Sequence, residues 1–305
     1  MIVSCILRWV MIHLIGTFSS LQRLLLLAVV ALNLPGCLQL RTTPPVEPAS
    51  REYKLLLDPA RFDKSGIEKT LAELDRLAAD AAQQSGVAYE GSLWKPLRTR
   101  QVAFLDVPGD CTLRNNDLVL RLRSRGSKTT ATLKYRTPHL SAIATANNPL
   151  LNDASRNIEV DLKPPHDSIY SQSLSAKTGP GGLKTLGDLY TLFPVTRSLP
   201  EAPDTKLAIV GKAPVREEVR GKASLDLGSK SSMSLSLWYR TDGDTRPVIA
   251  ELSFKYATGK NAVSDEQRAR GLFEKLQQLE GWISPRSMTK TAFIYASSPG
   301  FCEQE

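Results

Sequence analysis

In Leu118-Val119-Leu120-Arg121-Leu122-Arg123 the three leucines fall on one parity and the two arginines on the other. Side chains alternate across a β-strand, so the leucines share one face and the arginines the opposite one. The same parity runs through Ala131-Thr132-Leu133-Lys134-Tyr135-Arg136, through Ile158-Glu159-Val160-Asp161-Leu162-Lys163, and through Ala250-Glu251-Leu252-Ser253-Phe254-Lys255-Tyr256. Glu52 and Lys54 share a face near the start. Further strand candidates lie at 101–107, 207–213, 215–227 and 233–240, and turn signals such as Asp242-Gly243-Asp244 punctuate them.

Two stretches break this pattern with helical spacing. Ser65-Gly66-Ile67-Glu68 has the form of a capping box, followed by Ile67, Leu71, Leu74 and Leu77 at helical intervals. Ser264-Asp265-Glu266-Gln267 similarly precedes Leu272, Phe273, Leu276 and Leu279. A shorter helix is expected within 183–192. The usual outcome for alternating strands is a sheet with its charged face in water. Here both acids and bases crowd the polar faces, where a solvated face more often mixes in Ser, Thr, Asn and Gln. Two amphipathic helices also need an apolar partner, which the outside of a barrel supplies. The expected fold is therefore α+β: an antiparallel, closed or near-closed β-barrel of about eight strands with packed amphipathic helices. Its lining charges must pair or meet a ligand, because an isolated buried charge is too costly.

The opening residues read differently. After Arg8 and Arg23 comes an apolar run, 24–34, that ends in Asn33-Leu34-Pro35-Gly36-Cys37 with no acid before it. This is shorter than a spanning helix of about 20 residues and fits a cleaved signal peptide, with an uncleaved anchor helix as the alternative. Leu34-Pro35-Gly36-Cys37 resembles the lipobox of bacterial lipoproteins, in which the cysteine carries the lipid. The expected organisation is a signal peptide at 1–36, a lipidated Cys37 and tether at 37–50, the barrel domain at 51–297 and a tail at 298–305. This places the protein in a bacterial cell envelope, lipid-anchored and periplasm-facing, and Leu38 after the cysteine resembles lipoproteins sorted to an outer membrane. Loss of the leader takes two arginines from a formal charge of +8 and leaves +6, which suits anionic partners. Cys111 and Cys302 remain as an even pair in an oxidising compartment, where a disulfide and two free thiols are both open.

Some chemistries drop out. Only His139 and His166 follow the leader, without paired spacing, so a histidine zinc site or catalytic triad has no basis. Gly179-Pro180-Gly181-Gly182-Leu183-Lys184-Thr185 has a leucine between its last glycine and the lysine, follows no strand candidate, and reads as a loop. Trp94, Trp238 and Trp282 read as packing residues rather than base-stacking platforms, and no specific nucleic-acid recognition is expected.

The ordered motifs resemble the CYTH domain, or triphosphate tunnel metalloenzymes. The family's opening Glu-x-Glu-x-Lys is similar to Ser50-Arg51-Glu52-Tyr53-Lys54. Its Asp-x-Pro and Arg-x-Arg are similar to Asp106-Val107-Pro108 and Arg121-Leu122-Arg123. Its Thr-Leu-Lys is matched by Thr132-Leu133-Lys134, and its Arg-x-x-Glu-x-Glu by Arg156-Asn157-Ile158-Glu159-Val160-Asp161. A second Glu-x-Glu-x-Lys is similar to Glu251-Leu252-Ser253-Phe254-Lys255, and a late lysine to Lys290. The resemblance runs from Arg51 to about Tyr295. It implies a phosphate-rich anion (triphosphate, polyphosphate or nucleotide) held by Lys54, Arg121, Arg123, Lys134, Lys255 and Lys290, with Arg216, Arg220 and Arg240 as further contacts. It also implies Mg²⁺ or Mn²⁺ on Glu52, Glu159, Asp161 and Glu251. Ser50 and Ser253 stand where the family has carboxylates. Three functions follow as expectations: a metal-dependent phosphohydrolase, a non-catalytic anion-binding lipoprotein of the same fold, and a structural lipoprotein.

Overall fold

The computed structural model describes residues 47–143, 158–179, 182–211, 213–286 and 288–303. The leader, Cys37, most of the tether and Arg156 lie outside them. The strands in chain order are β1 Ser50–Leu57, β2 Tyr89–Glu90, β3 Pro96–Asp106, β4 Leu118–Arg125, β5 Lys128–Thr137, β6 Ile158–Lys163, β7 Asp167–Thr178, β8 Ala208–Ile209, β9 Val215–Leu225, β10 Ser229–Tyr239 and β11 Ile249–Ala257. The helices are α1 Ile67–Gln84, α2 Thr112–Asn115, α3 Leu140–Ile143, α4 Leu186–Leu192, α5 Ala262–Gln277 and α6 Lys290–Ala296.

Nine strands close into a barrel in the order β9-β10-β11-β1-β6-β7-β5-β4-β3, with β3 returning to β9; β2 and β8 are short additions at its rims. The barrel is mixed rather than antiparallel, because β1 and β6 run parallel, with Ser50 opposite Glu159 and Glu52 opposite Asp161. Alternation sets which face a residue takes and carries no information on the direction of the neighbouring strand. The strand missing from the sequence reading is β7, whose polar face is serine and not charge.

The apolar faces point outward and are covered. Leu71, Leu74 and Ala78 of α1 and Leu272, Phe273 and Leu276 of α5 form one core with Tyr53, Leu55, Leu235 and Phe254 on the barrel wall. Across the barrel, Leu186 and Leu189 of α4 pack on Leu118, Leu120, Leu133 and Tyr135. Each fully buried leucine contributes about 1.5–3 kcal/mol, so this outer shell rather than the interior holds the strands closed. Helix starts differ from the expected boxes. Gly66 caps α1 without a side-chain bond, since Ser65 binds Asp63 instead. Ser264 lies inside α5, which begins two residues earlier, whereas Thr185 and Asp188 form a reciprocal capping box on α4.

One end of the barrel is filled by an apolar floor of Val102, Phe104, Val215, Trp238, Ile249, Ile294 and Tyr295. The last two belong to α6. Asp106, at the end of β3, accepts from the Tyr295 hydroxyl at 2.6 Å and from the amides of Val107, Leu113 and Arg114, which joins β3, α2 and α6 at one carboxylate. Burial pushes its carboxyl upward, against the pull of the Tyr295 hydroxyl and the three amides. Cys111 and Cys302 are joined by a disulfide 191 residues apart in sequence. Residues 298–303, set apart in the sequence as a tail, are thereby fixed to the floor, and Ser50, counted with the tether, begins β1.

A covalent link across so long a loop constrains mainly the unfolded chain. Cys302→Ser is therefore expected to lower stability by about 2–4 kcal/mol, read as a lower urea midpoint. An unchanged midpoint would show that the floor holds without it.

Candidate functional site

The strands that close the barrel turn their polar parity inward around a cavity of about 730 Å³. Its wall carries eleven basic and four acidic side chains, together with ten Ser and Thr hydroxyls. Glu52 and Lys54 enter from β1, Arg121 and Arg123 from β4, Lys134 from β5, Glu159 from β6, Glu251 and Lys255 from β11, and Lys290 from the start of α6. Asp161 stands behind the wall, fully buried.

The acids are engaged by cations. Asp161 meets Lys54 at 2.8 Å and Arg136 at 2.8 Å. Glu52 meets Lys54 at 3.2 Å. Glu159 pairs with Lys134 at 3.5 Å and with Lys255. Glu251 pairs with Lys290 at 3.0 Å. Glu217 of β9 joins Arg100 and Lys290 and accepts from Ser236 and the Trp238 indole.

The resulting electrostatics are uneven. Burial raises the Asp161 and Glu159 carboxyls, yet Lys54 and Lys134 pull both below the ordinary carboxylate range. Glu52 goes the other way: burial, with Glu159, Asp161 and Glu251 nearby, outweighs Lys54 and raises it. Burial lowers the Lys134 ammonium to about 8 despite Glu159.

Among the bases of the inner wall, away from the exposed rim, Arg121 and Arg123 stand without a contact ion pair. They sit two residues apart on one strand face, roughly 7 Å from each other. Each keeps a buried Nε with no hydrogen-bond partner among the described residues, and neither forms an ion pair there. Burial pushes them down to about 10 and about 9, and Arg121 contributes to the shift of Arg123. Guanidinium stays protonated in proteins, so both remain cations without a contact ion pair among the described residues, with Glu217 and Glu52 acting on them from farther away.

Three expected contacts are not in the cavity. Arg216 and Arg220 lie on the outer face of β9, where both flank Glu218 and Arg216 stacks over Tyr239. The cause is a bulge: two residues, Gly221 and Lys222, oppose Ser234 of β10. Val215 and Val219 face inward, while Ala223 and Leu225, of the same parity, face the outer core. Gly221 has φ 61°, and a Cβ there would lie 2.2 Å from the Leu93 Cα, so no other residue fits. Arg240 is exposed in the turn beyond β10, where its amide binds Asp244. Conversely the sequence reading passed over Arg98, Arg100, Arg125, Lys128, Arg136 and Glu217. Arg136 has the parity of Lys134, and that signal was available. Of the tryptophans, Trp238 lines the cavity and Trp282 is buried under Arg61, but Trp94 is 49% exposed.

Glu52, Glu159 and Asp161 each bring a carboxylate oxygen within 4.8 Å of the others, and hard oxygens of this kind suit Mg²⁺ or Mn²⁺. The raised Glu52 carboxyl marks a cluster that a further cation would relieve. These three residues fit one divalent ion. Glu251 lies outside the triplet, held by Lys290. Ser253 lines the wall with a hydroxyl, opposite Lys54 in the strand register.

No protein-family model matches the sequence, and no curated protein does. Among solved structures, the chain is similar to the Hippeastrum adenylyl cyclase candidate HpAC1, described with a dominant triphosphatase activity, at 14% identity over 81% of this chain and 95% of that one, TM-score 0.43. It is also similar to an adenylate cyclase candidate of Bacillus halodurans, at 13% identity over 80% and 98%, TM-score 0.40. A third, from Vibrio parahaemolyticus, has 11% identity over 83% and 99%, TM-score 0.35.

Two unpaired arginines in one wall cost stability in the free protein. Arg123→Met is expected to raise the stability of the ligand-free protein by about 1 kcal/mol or more. The same variant should lose most of the thermal shift produced by tripolyphosphate. A destabilised variant with an undiminished shift would contradict the assignment.

Proposed function

We propose that this protein binds a triphosphate or polyphosphate chain inside the barrel and hydrolyses it with a divalent metal. The observation that carries this reading is the half-buried pair Arg121 and Arg123, each with a buried Nε lacking a hydrogen-bond partner and neither in a contact ion pair among the described residues, in a cavity where bases outnumber acids. Planar forks on one strand face match phosphoryl oxygens bidentately, and Lys54, Lys134 and Lys290 add compact charge around them. The order of the CYTH-like motifs along the chain supports the same ligand.

Phosphoryl transfer asks a protein chiefly for positioning and for neutralising charge spread over phosphoryl oxygens. The arginines would clamp the chain from β4. The lysines hold their carboxylate partners until phosphate oxygens compete for them. A divalent ion on Glu52, Glu159 and Asp161 would supply further charge neutralisation and a more acidic water.

A second reading, capture without turnover, is favoured by the hydroxyls of Ser50 and Ser253 at positions where carboxylates would add metal affinity. In either reading the leader and Cys37 would place the protein in the cell envelope on a lipid anchor. β1 begins at the rim where the cavity opens.

Orthophosphate release from tripolyphosphate should require Mg²⁺ or Mn²⁺, and Lys134→Ala and Glu159→Ala should each lower it about a hundredfold or more. Full activity in both variants would rule out hydrolysis at this site. Tight tripolyphosphate binding that survives chelation, with no product, would select the capture reading.

A further inference from the structure

We infer that the ligand is a linear inorganic polyphosphate longer than three phosphates and carrying no nucleobase, held end-first with its trailing phosphates on Arg98, Arg125 and Lys128. This rests on the phosphate-binding reading above and narrows it to a substrate class.

The barrel has a polar axis. β4 runs from the floor at Leu118 to the mouth at Arg125, and its inward residues Arg121, Arg123 and Arg125 form a row spanning roughly 13 Å. Lys128 faces Arg125 across the β4–β5 turn, and Arg98 stands near the outer end of β3. All three line the cavity and lie beyond the Arg121–Arg123 pair. None of the three forms an ion pair among the described residues, whereas Lys54, Lys134 and Lys290 near the floor all hold carboxylates. Unpaired positive charge therefore continues outward from the buried arginines to the rim. A triphosphate seated against the floor bases and the arginine pair leaves this outer part of the row without phosphate.

The charge balance agrees. The wall holds eleven bases against four acids, and counting Asp161 behind it still leaves a surplus of six. That is more than one fully ionised triphosphate can neutralise. Polyphosphate adds charge with every unit and keeps the same chemistry along its length, so each further base meets the same group.

Among the described lining residues the mouth offers a base no aromatic ring. The aromatic residues on the cavity wall are Phe104 and Trp238, and both belong to the floor. Around the rim the lining is Ser124, Thr130, Ser175 and Val219, which stands opposite Arg98, besides the cations. Nucleobases stack on aromatic rings and on guanidinium planes, so a base at this rim would have only Arg98 and Arg125 to stack on, the same groups that a trailing phosphate engages with full charge.

The test compares equilibrium affinities per chain for tripolyphosphate, long-chain polyphosphate and ATP. Long-chain polyphosphate should bind about tenfold or more tightly than tripolyphosphate, and ATP no more tightly than tripolyphosphate. In Arg125→Ser/Lys128→Ser the ratio of long-chain to tripolyphosphate affinity should collapse toward one. The Arg125→Lys variant should largely keep it, which separates lost charge from a misfolded rim. Equal affinity for both chain lengths, a ratio unchanged in the double variant, or ATP bound about tenfold above tripolyphosphate would each overturn the inference. In those outcomes tripolyphosphate is still bound. Absence of binding to any phosphate compound would instead remove the reading on which it rests.

Discussion

The interaction on which the structure turns is one the free protein does not make: among the described residues Arg121 and Arg123 have no contact ion pair, and each keeps a buried Nε without a hydrogen-bond partner. A fold that buries such groups cannot use its interior as its core along the whole axis. The strands accordingly send their leucines outward, and α1, α4 and α5 exist in the fold to cover what would otherwise be exposed apolar barrel wall. Only the floor is packed inside, where Phe104, Trp238, Ile249 and α6 replace charge with apolar contact. The disulfide and the Asp106–Tyr295 bond then fix that floor, so that the charged part of the axis opens toward one rim.

Most of this inversion was legible in the sequence, because it is written as parity. Leu118 to Arg123 and Ala131 to Arg136 assign their faces without ambiguity, and the helices declare an apolar stripe that needs a partner. What parity cannot carry is a change of phase within a strand. In β9 the residues Val215, Val219, Ala223 and Leu225 look like one face, and Arg216 and Arg220 like the other. The bulge at Gly221 and Lys222 divides them, so the arginines before it face out. The signal was the glycine, since an isolated glycine in a strand often marks a bulge. β7 was missed for a different reason: its inward serines carry no charge contrast, though they complete the wall beside Lys134. The parallel pairing of β1 with β6 depends on a long-range choice of neighbour that no local pattern encodes.

The distribution of residue types around the wall is itself ordered. Going round the barrel from β1 and β6, four steps through β6, β7 and β5 lead to β4, close to halfway through the nine strands. The carboxylates that could hold a metal lie at one side, and the unpaired arginines lie across from them. Lysines attend each of these carboxylates, as Lys54, Lys134 and Lys255 do, with one arginine, Arg136, joining Lys54 on Asp161. That choice has a physical consequence. An ammonium on a flexible stem can leave one oxygen for another with little reorganisation, whereas a guanidinium fork is preorganised and geometrically committed.

A phosphate chain lying between the two sides would therefore meet a fixed partner and a mobile one. The arginine side needs no rearrangement, because nothing must be displaced from Arg121 or Arg123 before phosphate binds. The lysine side starts from closed ion pairs, and each phosphoryl oxygen it accepts loosens a carboxylate that a divalent cation can then take up. On the proposed reading, binding of chain and of metal would thus be coupled through the same ammonium groups, with the anion drawing lysine away from the oxygens that the cation requires. On the proposed reading the serines at positions 50 and 253 would weaken the metal half of that exchange without touching the arginine half, which makes anion capture the more robust part of the proposal and turnover the more conditional one.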